Sequence, residues 1–159
     1  QLNTQNNLIY IREEIAHLKA YLEIINYRSN QEIDFSYHID SDLMDHKIIK
    51  LILQPLIENS IKHGFSNFVQ DTNIYLCEIS IDIRKKDSGI QIEVNDNGKG
   101  IDIEKAYAAL NQTNKTKKNH IGLRNVYKRL SAYYGESVSM EFMSVPYVKN
   151  SVIIWLPLL

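Results

Sequence analysis

Apolar residues recur at helical spacing near the start of the chain. Ile11, Ile15, Leu18, Leu22 and Ile25, with Tyr21 beside them, share one stripe, while Arg12, Glu13, Glu14, Lys19 and Glu23 fall largely on the other face. This predicts an amphipathic helix from about Ile9 to Arg28. After Ser29 and Asn30 the period changes to two, through Ile33, Phe35, Tyr37 and Ile39, which predicts a strand with one wet face. Residues 47–63 return to helical spacing through Ile48, Ile49, Leu51, Ile52, Leu56, Ile57 and Ile61. Pro55 predicts a kink or a new first turn there, and Gly64 a stop. Residues 65–73 read as a loop. Cys77, Ile79, Ile81 and Ile83 alternate as a strand, and Ile90, Ile92 and Val94 pair back on it through a turn at 85–89. A helical pattern at 102–110 leads into an Asn-, Thr- and Lys-rich loop at 111–120, the expected mobile segment. A helix from Leu123 to Tyr134, ended by Gly135, and two strands near 137–144 and 150–156 close the chain.

The composition suits one compact domain: 159 residues, 44% hydrophobic and 23% charged. Eighteen Lys and Arg against nineteen Asp and Glu give a net charge of -1, which removes a global electrostatic case for nucleic acid. Cys77 is the one cysteine, so an internal disulfide is excluded and a reducing, cytoplasmic setting is expected. No apolar run approaches the length of a membrane span, and the chain does not open with Met, so a piece of a longer protein is expected.

Three stretches carry candidate chemistry. In Leu53-Gln-Pro-Leu-Ile-Glu58-Asn59-Ser-Ile-Lys62-His63-Gly64, helical spacing stacks Glu58 over Lys62 and sets Asn59 beside Lys62 or His63. The carboxamide oxygen of Asn59 suits Mg²⁺, which prefers oxygen donors and arrives with phosphates and waters, and Lys62 offers a point charge to phosphate. A solvated helix face with an ordinary ion pair has the same pattern. In Val94-Asn-Asp96-Asn-Gly98-Lys-Gly100-Ile101, a carboxylate at a strand end can accept from an exocyclic amine such as that of adenine, and glycines let backbone approach a ligand. A plain Asp-Asn-Gly turn reads alike. In His120-Ile-Gly122-Leu123-Arg124-Asn125, a helix start offers unpaired N–H groups to phosphate, with Lys115, Lys117 and Lys118 just before it, or it is a simple helix entry.

Taken together and in this order, the three stretches resemble the ATP-binding domain of sensor histidine kinases of the YesM and LytS type, within the gyrase, Hsp90, histidine kinase and MutL superfamily. The resemblance covers nearly the whole chain. It implies a two-layer α/β sandwich (α+β) of the Bergerat type, with helices on one face of a mixed, mostly antiparallel sheet. It also implies ATP and Mg²⁺ as ligands, with Asn59 on the metal, Glu58 as the acidic catalytic residue, and Lys62 and His63 facing the phosphates. Asp96 reads adenine, Gly98, Gly100 and Ile101 form the first glycine box, and Gly122 with Leu123 forms the second, at the end of a lid from about Asp102 to Ile121.

Three positions depart from the family pattern: His120 stands where the second glycine box begins with glycine, Gln54-Pro55 where many members have an earlier asparagine, and Lys149-Asn150-Ser151 where Gly-Thr is common. No phosphoacceptor stretch is present, and the surroundings of His17 resemble the connecting helix that follows one. The implied organisation is a connecting helix over residues 1–30 and the ATP-binding domain over 31–159. The implied function is transfer of the ATP γ-phosphoryl group to a histidine outside this segment. The implied partners are the phosphoacceptor helix of the same kinase, a response regulator and a second subunit, with no nucleic acid. The implied location is the cytoplasmic side of a bacterial inner-membrane sensor, and without its upstream partner the first helix is expected to expose its apolar face. The alternatives are a non-catalytic scaffold that docks a response regulator, and a serine kinase or ATPase of the same superfamily.

Overall fold

The computed structural model describes residues 7–29, 32–65, 76–111 and 120–158. Among these described residues, seven strands and four α-helices follow in the order β1 (Leu8–Tyr10), α1 (Ile11–Ser29), β2 (Ile33–Ile39), β3 (Lys47–Ile49), α2 (Leu53–Asn59), β4 (Cys77–Lys86), β5 (Gly89–Asp96), α3 (Ile103–Asn111), α4 (Ile121–Tyr134), β6 (Ser139–Val145) and β7 (Lys149–Pro157). A five-stranded sheet runs β2-β4-β5-β7-β6. Only its β2–β4 pair is parallel, and β1 and β3 form a separate antiparallel pair. The mixed, mostly antiparallel sheet expected from the sequence is therefore present.

Alternation along the strands sends one set of side chains inward: Ile79, Ile81 and Ile83 from β4, Ile92 and Val94 from β5, and Val152, Ile154 and Leu156 from β7 are buried. They share one core with Leu18 and Leu22 of α1, Leu56 and Ile57 of α2, and Leu123, Val126 and Leu130 of α4. Helices thus cover one sheet face, as in a two-layer sandwich. The stripe of α1 is part of this core, with Ile11, Ile15, Leu18 and Leu22 all buried, which corrects the expectation of an exposed apolar face. Among the described residues, no helix is long and apolar enough to cross a membrane.

The largest departure from the sequence reading lies at 47–53. Lys47–Ile49 is a strand paired with Leu8–Tyr10, not the first turn of a helix, and the expected start of α1 at Ile9 moves to Ile11 for the same reason. The β-branched pair Ile48 and Ile49 suits a strand, and Leu51 at φ 61° interrupts any continuous helix. Helix α2 then begins at Leu53, so Pro55 falls in the first turn, where its missing N–H costs nothing. Past Asn59 the helix widens to a π-turn over Ser60–Gly64.

The N–H groups at the start of α2 are met by a side chain that sequence spacing assigns to solvent. Glu14, 3% exposed, accepts from the N–H groups of Ile52 and Leu53, each at 2.7 Å, and of Leu51 at 3.1 Å. Burial pushes its carboxyl above the ordinary carboxylate value, against the opposing pull of those three donors and of His17. Glu14→Ala leaves buried donors unpaired and is expected to destabilise the chain by about 2–4 kcal/mol in urea unfolding. The exposed Glu23→Ala is expected to change stability by less than about 0.5 kcal/mol.

Candidate functional site

The C-terminal end of α2, the turn after β5 and the start of α4 enclose a cavity of about 200 Å³. The α2 side supplies Asn59, Ser60, His63 and Gly64, and the β5 turn supplies Asp96, Lys99, Gly100, Ile101 and Asp102. Lys105 of α3, His120 and Val152 of β7 complete the lining.

Asp96 is held by a row of side chains across three strands. It lies opposite Asn150 of β7, which lies opposite Ser144 of β6. Asp96 Oδ1 accepts from the Gly98 N–H at 2.8 Å and from Asn150 Nδ2 at 3.1 Å. Asn150 Nδ2 also donates to the Gly98 carbonyl at 3.0 Å. Its Oδ1 accepts from Ser144 Oγ at 2.7 Å, and that hydroxyl accepts from the Ile101 N–H at 3.0 Å. Among the described residues both donors to Asp96 fall on Oδ1, which leaves the acceptor capacity of Oδ2 unused.

Close backbone contact brings this turn against α2. A Cβ on Gly98 would lie 2.6 Å from both Cα and the carbonyl oxygen of Gly64, and the Lys99 N–H donates to that same oxygen at 3.0 Å. Gly100, at φ 111°, sits where a side chain would be strained and would press on Pro146 and Ser144. Only glycine permits this approach of the β5 turn to the end of α2.

Between the α2 side and the start of α4 the rings of His63 and His120 lie 5.6 Å apart. Burial lowers the pKa of each. For His63 the neighbouring His120, Lys62 and Lys99 add to the effect. For His120, Lys105 lowers it and Asp102 opposes. Both rings therefore favour the neutral form near neutrality. His120 precedes α4 at φ 66°, and among the described residues its buried Nδ1 has no hydrogen-bond partner, nor has Arg124 Nε. The cavity thus combines a carboxamide, the hydrogen-bonded carboxylate of Asp96, neutral imidazoles, Lys99, and Lys105 paired with Asp102, a set that suits a polar ligand carrying both hydrogen-bond donors and acceptors. Among the described residues, no group of three or more His, Cys, Asp or Glu is placed to hold a metal.

Of the residues singled out in the sequence, Asn59, His63, Asp96, Gly100 and Ile101 line one cavity. Glu58 on α2 and Lys62 on the π-turn are exposed outside the lining, and Glu58 Oε1 accepts from Gln54 at 3.1 Å. Gly98 acts through its contact with Gly64. Gly122 is near the Pro55 carbonyl, with 4.0 Å to a Cβ placed on it, and Leu123 is fully buried in the core. Lys115, Lys117 and Lys118 lie outside the described residues. Sequence reasoning missed Lys105, Ser144 and the direct contact of Asn150 with Asp96. Lys105 had one faint signal, its i,i+3 spacing from Asp102, with which it pairs at 3.6 Å.

The profile of the family described as histidine kinase-, DNA gyrase B-, and HSP90-like ATPase matches residues 44–159. The sensor protein LytS of Oceanobacillus iheyensis is 35% identical over 142 residues, 87% of this chain and 23% of that protein. The sensor histidine kinase YesM of Bacillus subtilis is 28% identical over 156 residues, 98% of this chain and 25% of that protein. The chain therefore spans about a quarter of the length of these relatives. Among solved structures, the nucleotide-free catalytic domain of the histidine kinase ThkA superimposes with a TM-score of 0.69 at 18% identity, covering 94% of each chain, a likeness of fold.

Two glycines separate packing from mere sequence motif. Gly98→Ala is expected to lower stability by about 1–3 kcal/mol, because its Cβ meets the Gly64 backbone. Gly122→Ala meets nothing nearer than 4.0 Å and is expected to leave stability unchanged or raise it by up to about 1 kcal/mol in thermal unfolding.

Proposed function

Because the chain belongs to the histidine kinase-, DNA gyrase B-, and HSP90-like ATPase family, we propose that it is the ATP-binding catalytic domain of a sensor histidine kinase of the LytS and YesM type. In this reading the γ-phosphoryl group of ATP passes to a histidine outside the segment. Residues 1–30 connect to the phosphoacceptor helix of the same kinase, which works as a homodimer on the cytoplasmic face of a membrane-anchored sensor. A response regulator then takes the phosphoryl group. The observation that carries the reading is the meeting of Asn59 and Asp96 on opposite walls of one cavity, with Asp96 Oδ1 already engaged and Oδ2 left over.

Each residue has a task that its surroundings suit. Asp96 Oδ2 accepts from the exocyclic amine of adenine, while Gly98 and Gly100 keep the turn close. Asn59 presents its carboxamide oxygen to Mg²⁺, and that ion, when bound, neutralises charge on the phosphates. Lys99, Lys105 and the imidazoles of His63 and His120 face the phosphates, Lys62 reaches them only by turning in from its exposed position outside the lining, and the start of α4 at Gly122 and Leu123 offers backbone N–H groups. Ile101 closes the floor. Glu58 is exposed beside Asn59, so an imidazole arriving from another segment can reach it, and its carboxylate can orient that ring or take its proton. Catalysis in this scheme is mostly positioning and electrostatics.

In calorimetric titration the isolated chain is expected to bind ATP in the presence of Mg²⁺ and, incubated with labelled ATP, to incorporate no phosphate itself. Asp96→Asn and Asn59→Ala are each expected to weaken binding by about tenfold or more, the scale of a lost charge-assisted contact. Absence of binding heat, or labelling of the isolated chain, contradicts the reading.

A further inference from the structure

Asn150 is 1% exposed in a central strand, where an unpaired amide is costly and an apolar residue is the simpler choice. It uses both ends of its amide. Nδ2 donates to Asp96 Oδ1 and to the Gly98 carbonyl, and Oδ1 accepts from Ser144 Oγ. Rotating the amide by half a turn would set its oxygen against two acceptors, so its orientation is fixed. The Ser144 hydroxyl is fixed in turn, because its oxygen takes the Ile101 N–H and its proton must go to Asn150. One side chain thus ties the carboxylate that borders the cavity to the carbonyl of the glycine turn and to the cavity floor at Ile101.

We propose that Asn150 is the positioning residue for base selection: by holding Asp96 Oδ1 it keeps Oδ2 aimed at the base, as an acceptor for the exocyclic amine of an adenine nucleotide. The inference rests on the adenine-nucleotide reading given above. A guanine nucleotide presents a carbonyl oxygen at the corresponding position, and a fixed carboxylate repels it. Without the Asn150 donor, Asp96 Oδ1 is left with the Gly98 N–H alone, the carboxylate turns, and neither base is read. Both nucleotides are then held by ribose and phosphate contacts of similar strength, and discrimination falls because the adenine complex weakens.

Titration calorimetry of the whole chain with ADP and with GDP, each with Mg²⁺, tests this, and thermal unfolding reports whether each variant is folded. The unaltered chain is expected to prefer ADP by about tenfold or more. Asn150→Asp, which keeps the shape and replaces the donor by an acceptor, is expected to bring the two affinities to within about threefold, through loss of ADP affinity with GDP little changed. Ser144→Ala, which releases the far end of the amide, is expected to shift the ratio in the same direction by less. A purely structural role for Asn150 would lower the melting temperature and leave the ratio alone. A folded Asn150→Asp chain with the original ratio overturns the inference and leaves the nucleotide reading standing. If that variant does not fold, an unchanged ratio in Ser144→Ala overturns it. An unaltered chain that binds no ADP overturns both.

Discussion

The buried carboxylate of Glu14 is the interaction on which the rest of the structure turns. It reaches from α1 to the start of α2 and takes three N–H groups in succession, where a helix offers unpaired donors and the positive end of its dipole. The backbone there is constrained from every side. Leu51 lies at φ 61°, Arg129 of α4 donates to the carbonyls of Leu51 at 2.8 Å and Lys50 at 2.6 Å, and the Tyr134 hydroxyl accepts from the Ile49 N–H at 3.3 Å. Burial pushes that hydroxyl up to about 12, so it remains neutral beside Glu14. Together α1, β3 and α4 fix where α2 begins, and a helix with a fixed start presents Asn59 and His63 at a fixed end.

The opposite wall is set by the sheet. The row Asp96, Asn150 and Ser144 crosses β5, β7 and β6 and carries its hydrogen bonds to the cavity floor at Ile101. The two walls touch where Gly98 meets the Gly64 backbone, which leaves no room for a Cβ on Gly98. The third wall begins at His120, a non-glycine residue in the left-handed region whose ring lies 5.6 Å from that of His63. Strain of that kind persists where surrounding contacts impose it.

Local periodicity made the sheet and the long helices legible. The strands at 77–84 and 90–94 and the helix at 123–134 need only their own neighbours to be recognised, because alternation or a helical stripe matches their burial. Long-range pairing hid the rest. Ile48 and Ile49 read as helix until Leu8 and Ile9 supply their strand partners, and Glu14 reads as solvent-facing until Leu51, Ile52 and Leu53 meet it across the fold. At the site, Asn59, His63 and Asp96 were visible because each belongs to a dense motif, whereas Asn150 and Ser144 reach Asp96 only through strand register. Register joins residues distant in the chain, and one sequence does not disclose it.

The most direct test of the account is phosphotransfer in trans. The chain is mixed with Mg²⁺, γ-labelled ATP and a separate polypeptide carrying the acceptor-histidine helix of the intact kinase, and the label is followed. The account predicts phosphate on the added histidine in acid-labile, base-stable form, lost when that histidine is replaced. Label that stays on ATP, or that resists acid as a phosphoserine would, contradicts it.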